Sequence, residues 1–423
     1  MITPDRINGP LTHQIGSIQW TQPQVRSLAN DAMVYCLGGL DVDVVKIELI
    51  FPAGTKYHKN LSVGSFTQQL LKEGTVRQDS STFNDAIDYY GAFVSVETDR
   101  DYLTISVFCR TAFVHPVMAL VHEMIMEPRF DADLLEIKKR NSIQNLLTNR
   151  KKVAFQSRVG LIGAVLGEQH YYGRISDTSD MQQVERADLV AFHAAHYFKS
   201  PPRVIVAGKI TPDVNRSIEE FVGSLPVTSA YSFQKLATQT TAGIHRRPLE
   251  GAIQQSIRLG KLTIGPSHAD ATALDVAITA LGGYFGSRLM DNLRERNGFT
   301  YGVHMSIDQF QEGAMISMHT ELGKEYCDDA LREIDLEFEK FLSEGISEDE
   351  LQTVKNYLCG SLVKEADGSI AQSELLRFRL LNGLPDNAHE QVTHKIQHLS
   401  VAEVNAVAQK YLQRDSFVTV IAG

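Results

Sequence analysis

Arg294 and Tyr301 stand seven positions apart on either side of Gly298, within the stretch GGYFGSRLMDNLRERNGFTYGV at 282–303. A guanidinium and a phenol are both hydrogen-bond donors. Two donors near each other suit a peptide carbonyl or the oxyanion formed from it. Phe285, Leu289 and Leu293 recur at helical spacing, so an amphipathic helix is expected to run up to Arg294 and stop at Gly298. Phe299, Tyr301 and Val303 alternate and read as the start of a strand. The donors are therefore expected at a helix end and on the strand after it. The same spacing also describes an ordinary helix–strand junction with a surface Arg and a half-buried Tyr.

Other chemistry is scarce. His193 and His196 lie three apart with no acid between them, His394 and His398 lie four apart around Lys395, Ile396 and Gln397, and His122-Glu123 has no second His nearby. All read as polar helix faces. There is no Ser-His-Asp motif, no Gly-Lys-Ser/Thr phosphate loop and no dinucleotide fingerprint. Cys36, Cys109, Cys327 and Cys359 are scattered, with no Cys-x-x-Cys pair. That points to buried free thiols in a reducing compartment rather than to a thiolate metal site or a disulfide framework. Acidic residues outnumber basic ones, 51 to 41, and the longest basic run is Lys138-Lys139-Arg140. This balance argues against a nucleic-acid partner. The N-terminal MITPDRINGPLTHQIG has no apolar core, and no run is long enough to span a bilayer. A cytoplasmic protein without a membrane partner is the expectation.

The elements that must position the two donors repeat. ADLVAFHAAHYFKSPPRVIVAG at 187–208 and VAEVNAVAQKYLQRDSFVTVIAG at 401–423 each read as an amphipathic helix, a polar turn and an apolar strand closing on Ala-Gly. Gly208 and Gly423 are 215 positions apart. Strand-then-helix pairs precede both, at 103–126 and at 314–342. A chain of 423 residues exceeds one ordinary core. The reading is α+β, with two homologous modules, each a mostly antiparallel sheet with helices on one face, forming a clam-like cleft. The modules are expected at 1–225 and 244–423, joined by a polar linker at 226–243.

With these motifs in place, the chain resembles the pitrilysin/insulinase clan of inverted-zinc metallopeptidases over nearly its whole length. Ile253-Gln-Gln-Ser-Ile-Arg-Leu-Gly260, Ala280-Leu-Gly-Gly283, Ser287-Arg-Leu289 and Arg294-Glu-x-x-Gly-x-x-Tyr301 carry the likeness in the second half. Phe51-Pro-Ala-Gly54, Glu73-Gly-Thr75, Tyr90-Gly-Ala92 and Glu127-Pro-Arg-Phe130 carry it in the first. The clan binds zinc through His-x-x-Glu-His on a helix, where two His one turn apart face one ion and the Glu serves as base, with a distant Glu as third ligand. Here the resemblance puts Ser65 and Gln69 at the His positions, Gln68 at the base and Asn145 at the third ligand. Those neutral groups supply neither imidazole, anion nor useful base.

The resemblance implies no cofactor in this chain and a subunit like the alpha type of processing peptidases. Such a chain would be inactive alone and would form a heterodimer with a zinc-bearing homologous subunit. Tyr301 and Arg294 would then bind the peptide substrate and stabilise the transition state at the partner's zinc. Val94, Ser95 and Val96 match the sheet edge to which clan substrates add as a strand, although Ser95 and Val96 replace the usual Asn-Ala. A non-catalytic peptide-binding or assembly protein, like the respiratory core proteins of the clan, is the alternative.

Overall fold

Alternating apolar runs form the strands, and the 3.6-residue patterns form the helices that cover them. The computed structural model describes residues 18–39, 42–228 and 233–423. The N-terminal stretch read for targeting signals, and 229–232 of the linker, lie outside the described residues.

In chain order the first half runs β1 (Gln24–Ser27), β2 (Met33–Leu37), β3 (Val45–Phe51), α1 (Leu61–Leu71), α2 (Ser80–Tyr89), β4 (Phe93–Thr98), β5 (Leu103–Cys109), α3 (Val114–Met126), α4 (Ala132–Asn149), α5 (Val153–Leu166), α6 (Thr178–Gln182), α7 (Arg186–His196), β6 (Arg203–Gly208) and α8 (Pro212–Ser217). The second half runs β7 (Ile244–Arg247), β8 (Gln254–Thr263), α9 (Ala271–Ile278), α10 (Arg288–Met290), β9 (Thr300–Phe310), β10 (Gly313–Gly323), α11 (Cys327–Glu344), α12 (Glu348–Glu365), α13 (Gly368–Leu381), α14 (Ala388–His398), α15 (Val401–Tyr411) and β11 (Val418–Ala422). Residues 233–243 between the halves have no regular structure.

The first sheet has the order β1-β2-β6-β3-β5-β4 and the second β7-β11-β8-β10-β9. Apart from the extra β1, the two orders correspond strand for strand. The β2–β6 and β11–β7 pairs are parallel and the other pairs antiparallel. The fold is therefore α+β with two like halves, as the repeat implies.

Each sheet packs one face on its own helices. Phe66, Phe83 and Phe192 join β3 and β5 in the first core, while Phe338, Phe341 and Leu293 join β8 and β10 in the second. The second face of each sheet is covered by one helix of the opposite half. Leu161 and Val165 of α5 meet Met315, Val418 and Val420 of the second sheet. Leu376 of α13 meets Leu37, Ile50 and Ile205 of the first. The two exchanged helices begin 215 positions apart, at Val153 and Gly368, so the exchange is reciprocal. Glycines allow the close approach of α5: a Cβ on Gly160 would sit 2.9 Å from Val420, and one on Gly260 2.9 Å from Leu161.

Charged groups complete the exchange. Lys46 and Glu48 on β3 are buried, with Nζ of Lys46 3.1 Å from Glu48 and 3.0 Å from Ser373, while Arg377 of α13 meets Glu48 at 2.8 Å. At the other contact, Lys56 lies 2.6 Å from Asp101 and 3.0 Å from Glu312 in the β9–β10 hairpin. Tyr57, Tyr171, Tyr172 and Phe233 ring its ammonium. The Lys56 side chain is 1% exposed, so loss of the cation would leave two carboxylates buried together. Lys56→Met should lower the free energy of unfolding by about 3–5 kcal/mol in chemical denaturation. The double variant with Glu312→Gln should recover part of that loss. Equal stability of Lys56→Met and the parent chain would contradict a clamping role.

Candidate functional site

The junction between α10 and β9 differs from a simple helix. The helix that begins with α9 winds into a π-turn at Thr279–Gly283 and stops, with Tyr284 extended at φ −146°. A Cβ on Gly282 would come within 2.8 Å of Met305, so this glycine serves close packing. Helical winding resumes at Arg288 and again becomes π-type over Asp291–Arg296. Phe285 thus lies in the break and is 64% exposed, while Leu289 and Leu293 are buried. The expected helix start at Phe285 is corrected to Arg288. The short helix is held from outside: Arg288 makes paired bonds of 2.8 and 2.7 Å to Glu350, and Asn292 donates to Glu333 and Glu337 of α11. Gly298, at φ +64°, then makes the left-handed turn that needs no Cβ.

Arg294 sits at the end of this winding. Its guanidinium lies 4.7 Å from the Phe285 ring centroid, and its Nε is 3.5 Å from Glu295. Tyr301 is 93% exposed, not half-buried. The cause is a β-bulge in β9. Thr300 pairs with Leu322 and Val303 with Thr320, so Tyr301 and Gly302 together oppose the single residue Glu321. Thr300 and Val303 are both buried although three apart, which strict alternation forbids and an extra residue permits. Buried hydroxyls pin the bulge. The Thr300 hydroxyl donates to the Glu321 carbonyl at 2.7 Å, and that of Thr320 meets the Gly302 carbonyl at 2.9 Å and Thr300 Oγ1 at 3.0 Å. Sequence reasoning missed this device; the Thr300-x-Gly302 pattern opposite Thr320 was its only trace.

The degenerate motif lies on α1, whose N-cap Asn60 accepts from the Ser62 amide at 3.0 Å. Val63, Phe66, Thr67, Leu70 and Leu71 are buried, while Ser65, Gln68 and Gln69 share the half-exposed face. Ser65 and Gln69 are joined, the Gln69 amide donating to Ser65 Oγ at 3.2 Å. The Gln68 amide donates to the Val96 carbonyl. Asn145 is exposed on α4. The amide nitrogens of Gln68 and Gln69 already act as donors toward protein oxygens, and the set offers no imidazole or carboxylate. It does not fit a zinc ion.

β4, with Val94, Ser95 and Val96, is an edge strand of the first sheet. Its Val96 carbonyl is the acceptor already taken by Gln68. Among the described residues, no contact joins Arg294 or Tyr301 to Ser65, Gln68, Gln69 or Asn145, so the structure does not bring the two sets together in one chain. The halves do meet beside α1: its first residue, Leu61, packs in the cluster of Leu161 and Met315.

The remaining histidine pairs differ from one another. His193 and His196 are buried in the core rather than on a polar face, and His193 Nε2 lies 2.8 Å from the Ile125 carbonyl. Burial pushes both imidazoles down to about 4. His394 and His398 are exposed, with their rings stacked at 4.1 Å. His122 meets Ser224 at 3.2 Å. All four cysteines are buried and unbonded. Among the described residues, no helix is long and apolar enough to cross a membrane.

With that geometry established, residues 183–358 match the family described as the Peptidase M16 inactive domain. Over that segment the chain resembles the M16 peptidases. It is 27% identical over 357 residues to an uncharacterized zinc protease of Mycobacterium tuberculosis, covering 82% of this chain and 81% of that one. It is 23% identical over 361 residues to the non-peptidase homolog YmxG of Helicobacter pylori, covering 83% and 82%. The crystal structure of a peptidase M16 inactive domain from Pseudomonas fluorescens superimposes with a TM-score of 0.88 at 24% identity, covering 95% of this chain and 98% of that one. The chain thus pairs the fold of that Pseudomonas structure with neutral side chains at Ser65, Gln68, Gln69 and Asn145.

Zinc content tests the reading of α1. The purified chain should hold no stoichiometric zinc after dialysis against the metal. A variant combining Ser65→His, Gln68→Glu, Gln69→His and Asn145→Glu should acquire it, as measured by elemental analysis. Stoichiometric zinc in the parent chain would overturn the assignment.

Proposed function

We propose that this chain is the non-zinc subunit of a two-chain M16 metallopeptidase and supplies Arg294 and Tyr301 to a zinc site on its partner. The observation that carries this reading is Tyr301, an aromatic 93% exposed and aimed outward by a bulge locked with buried threonines. A large apolar ring held in water by a pinned backbone has no packing purpose within its own chain.

In this role the Tyr301 hydroxyl donates to the scissile carbonyl oxygen as it gains charge. The Arg294 guanidinium, seven positions earlier, holds a neighbouring carbonyl or the same charge. Donors placed for the transition state strengthen as the charge grows, so each is worth roughly 2.7–4 kcal/mol when water is excluded. The partner supplies the zinc and its activated water. Alone, this chain lacks a nucleophile and leaves peptides intact. Strand addition of the substrate along Val94, Ser95 and Val96 belongs to the same reading, with the Gln68–Val96 bond as the contact a peptide would have to displace.

One observation favours a non-catalytic peptide-binding or assembly role instead. Arg294 is stacked on Phe285 and paired with Glu295, so its donors are partly engaged. The Helicobacter relative bears the name of a non-peptidase homolog.

Co-purification from the native host separates the two. A partner with an intact His-x-x-Glu-His, and peptidase activity only in the mixture, supports the enzyme. In that complex Tyr301→Phe and Arg294→Ala should each lower kcat by about 10²–10³ with little change in KM. Unchanged turnover in both variants, or a partner without the zinc motif, would rule the catalytic role out in favour of assembly.

A further inference from the structure

The face of the second sheet that carries Tyr301 continues into a row of basic side chains. β8, β10 and β9 set Arg258 opposite His319, and His319 opposite His304. Their neighbours in sequence, Ile257, Leu259, Met318, Val303 and Met305, point into the helix-covered core, so the row lies on the other face. That is the side on which Glu321 opposes the Tyr301–Gly302 bulge. Helix α5 packs over β8 and β11 on this side, through Leu161 against Val418 and Val420. The β9–β10 end stays open: His304 and Glu321 are exposed and His319 half-exposed.

Arg258 is the unusual member. It is half-buried, with Nε donating to Ser157 Oγ at 3.1 Å, and among the described residues it forms no ion pair and its two terminal nitrogens have no acceptor. A partly desolvated guanidinium is ordinarily matched by a carboxylate. Another guanidinium, Arg158 of α5, acts on Arg258, and the rings of His304 and His319 lie 5.8 Å apart beside it on the same face. Asp308, which accepts from Ser317 at 2.8 Å, and Glu321 favour the charge on Arg258 from a distance, but neither reaches ion-pair distance. A planar fork with two donors unpaired among the described residues, beside two imidazoles, suits one ligand chemistry, a carboxylate.

We propose that Arg258, His319 and His304 form a subsite for a carboxylate of a bound peptide, on the face presented by Tyr301. The inference rests on the proposed peptide-binding role and adds the substrate feature recognised. Two sources offer that group, an Asp or Glu side chain and a free C-terminus.

Fluorescence anisotropy with the full-length chain distinguishes them. Three labelled peptides of one sequence are compared: one amidated and free of carboxylates, one amidated with a single internal Glu, and one with a free C-terminus. One of the two carboxylate peptides should bind about tenfold more tightly than the neutral one at low salt. Whichever gains identifies the source. Arg258→Gln should abolish the gain, Arg258→Lys should keep part of it, and His304→Gln, at an exposed position, should reduce it without affecting folding. Equal affinity for all three peptides, or a gain that survives in Arg258→Gln, overturns the subsite. That result leaves the Tyr301 reading standing, because the latter is judged by turnover of the complex. Unchanged turnover in Tyr301→Phe sinks the transition-state role without touching the peptide affinities.

Discussion

Neither sheet can bury its second face with its own helices, and the structure follows from how that is resolved. The 3.6-period helices of each half cover one side. The other side is closed only where α5 and α13 cross to the opposite sheet. One helix cannot shield five strands, so the cover is partial. In the second sheet it protects β8 and β11 and leaves the β9–β10 end open, where Tyr301, His304 and Glu321 stand exposed. The open polar face is therefore a consequence of the exchange. The Lys56 cluster fixes the hairpin at the far end of the same two strands, so the face is held firmly against the first half.

Much of this was legible. The repeat, the α+β class and the placement of Arg294 at a helix end with Tyr301 on the next strand follow from spacing, because periodicity survives in surface and core alike. What was not legible depended on partners distant in sequence. Lys46 and Glu48 look like the solvent side of β3, and only α13, more than three hundred residues later, buries them. His193 and His196 look like a polar helix face for the same reason: the core that surrounds them is built from other strands and helices. Phe285 fits a helical period by coincidence, since the π-turn at Thr279–Gly283 ends the helix before it. The bulge at Tyr301 depends on a one-residue mismatch between two strands, which no single-strand pattern reveals.

The neutral face of α1 raises a different question, namely how the helix holds its place without the metal-binding groups that the family resemblance implies there. The answer lies in which side of the helix packs. Phe66, Leu70 and Leu71 anchor it in the first core, and Asn60 caps it. Ser65, Gln68 and Gln69 sit on the half-exposed side and satisfy one another or the β4 backbone. Replacing charged or metal-binding groups there by hydroxyl and amide groups leaves no buried polar atom stranded, so the scaffold tolerates it. Folding and chemistry thus use opposite faces of one helix and can be lost separately.

The same separation holds in the second half, with the opposite outcome. Thr300 and Thr320 face the core and fix the backbone, while Tyr301 faces out and makes no contact needed for folding. A tyrosine in the regular alternation would have no need of hydroxyls buried beneath it. Keeping two polar side chains in an apolar interior is favourable only when each finds a partner, and here the bulge's own carbonyls are those partners. The bulge and its threonines are consequently one unit: without the extra residue the hydroxyls would be stranded, and without the hydroxyls the bulge carbonyl of Gly302 would lose its donor. Such a unit fixes the direction of one exposed ring more tightly than the stability of the sheet requires. That over-determination is the physical argument behind the proposal that the ring meets something outside its own chain.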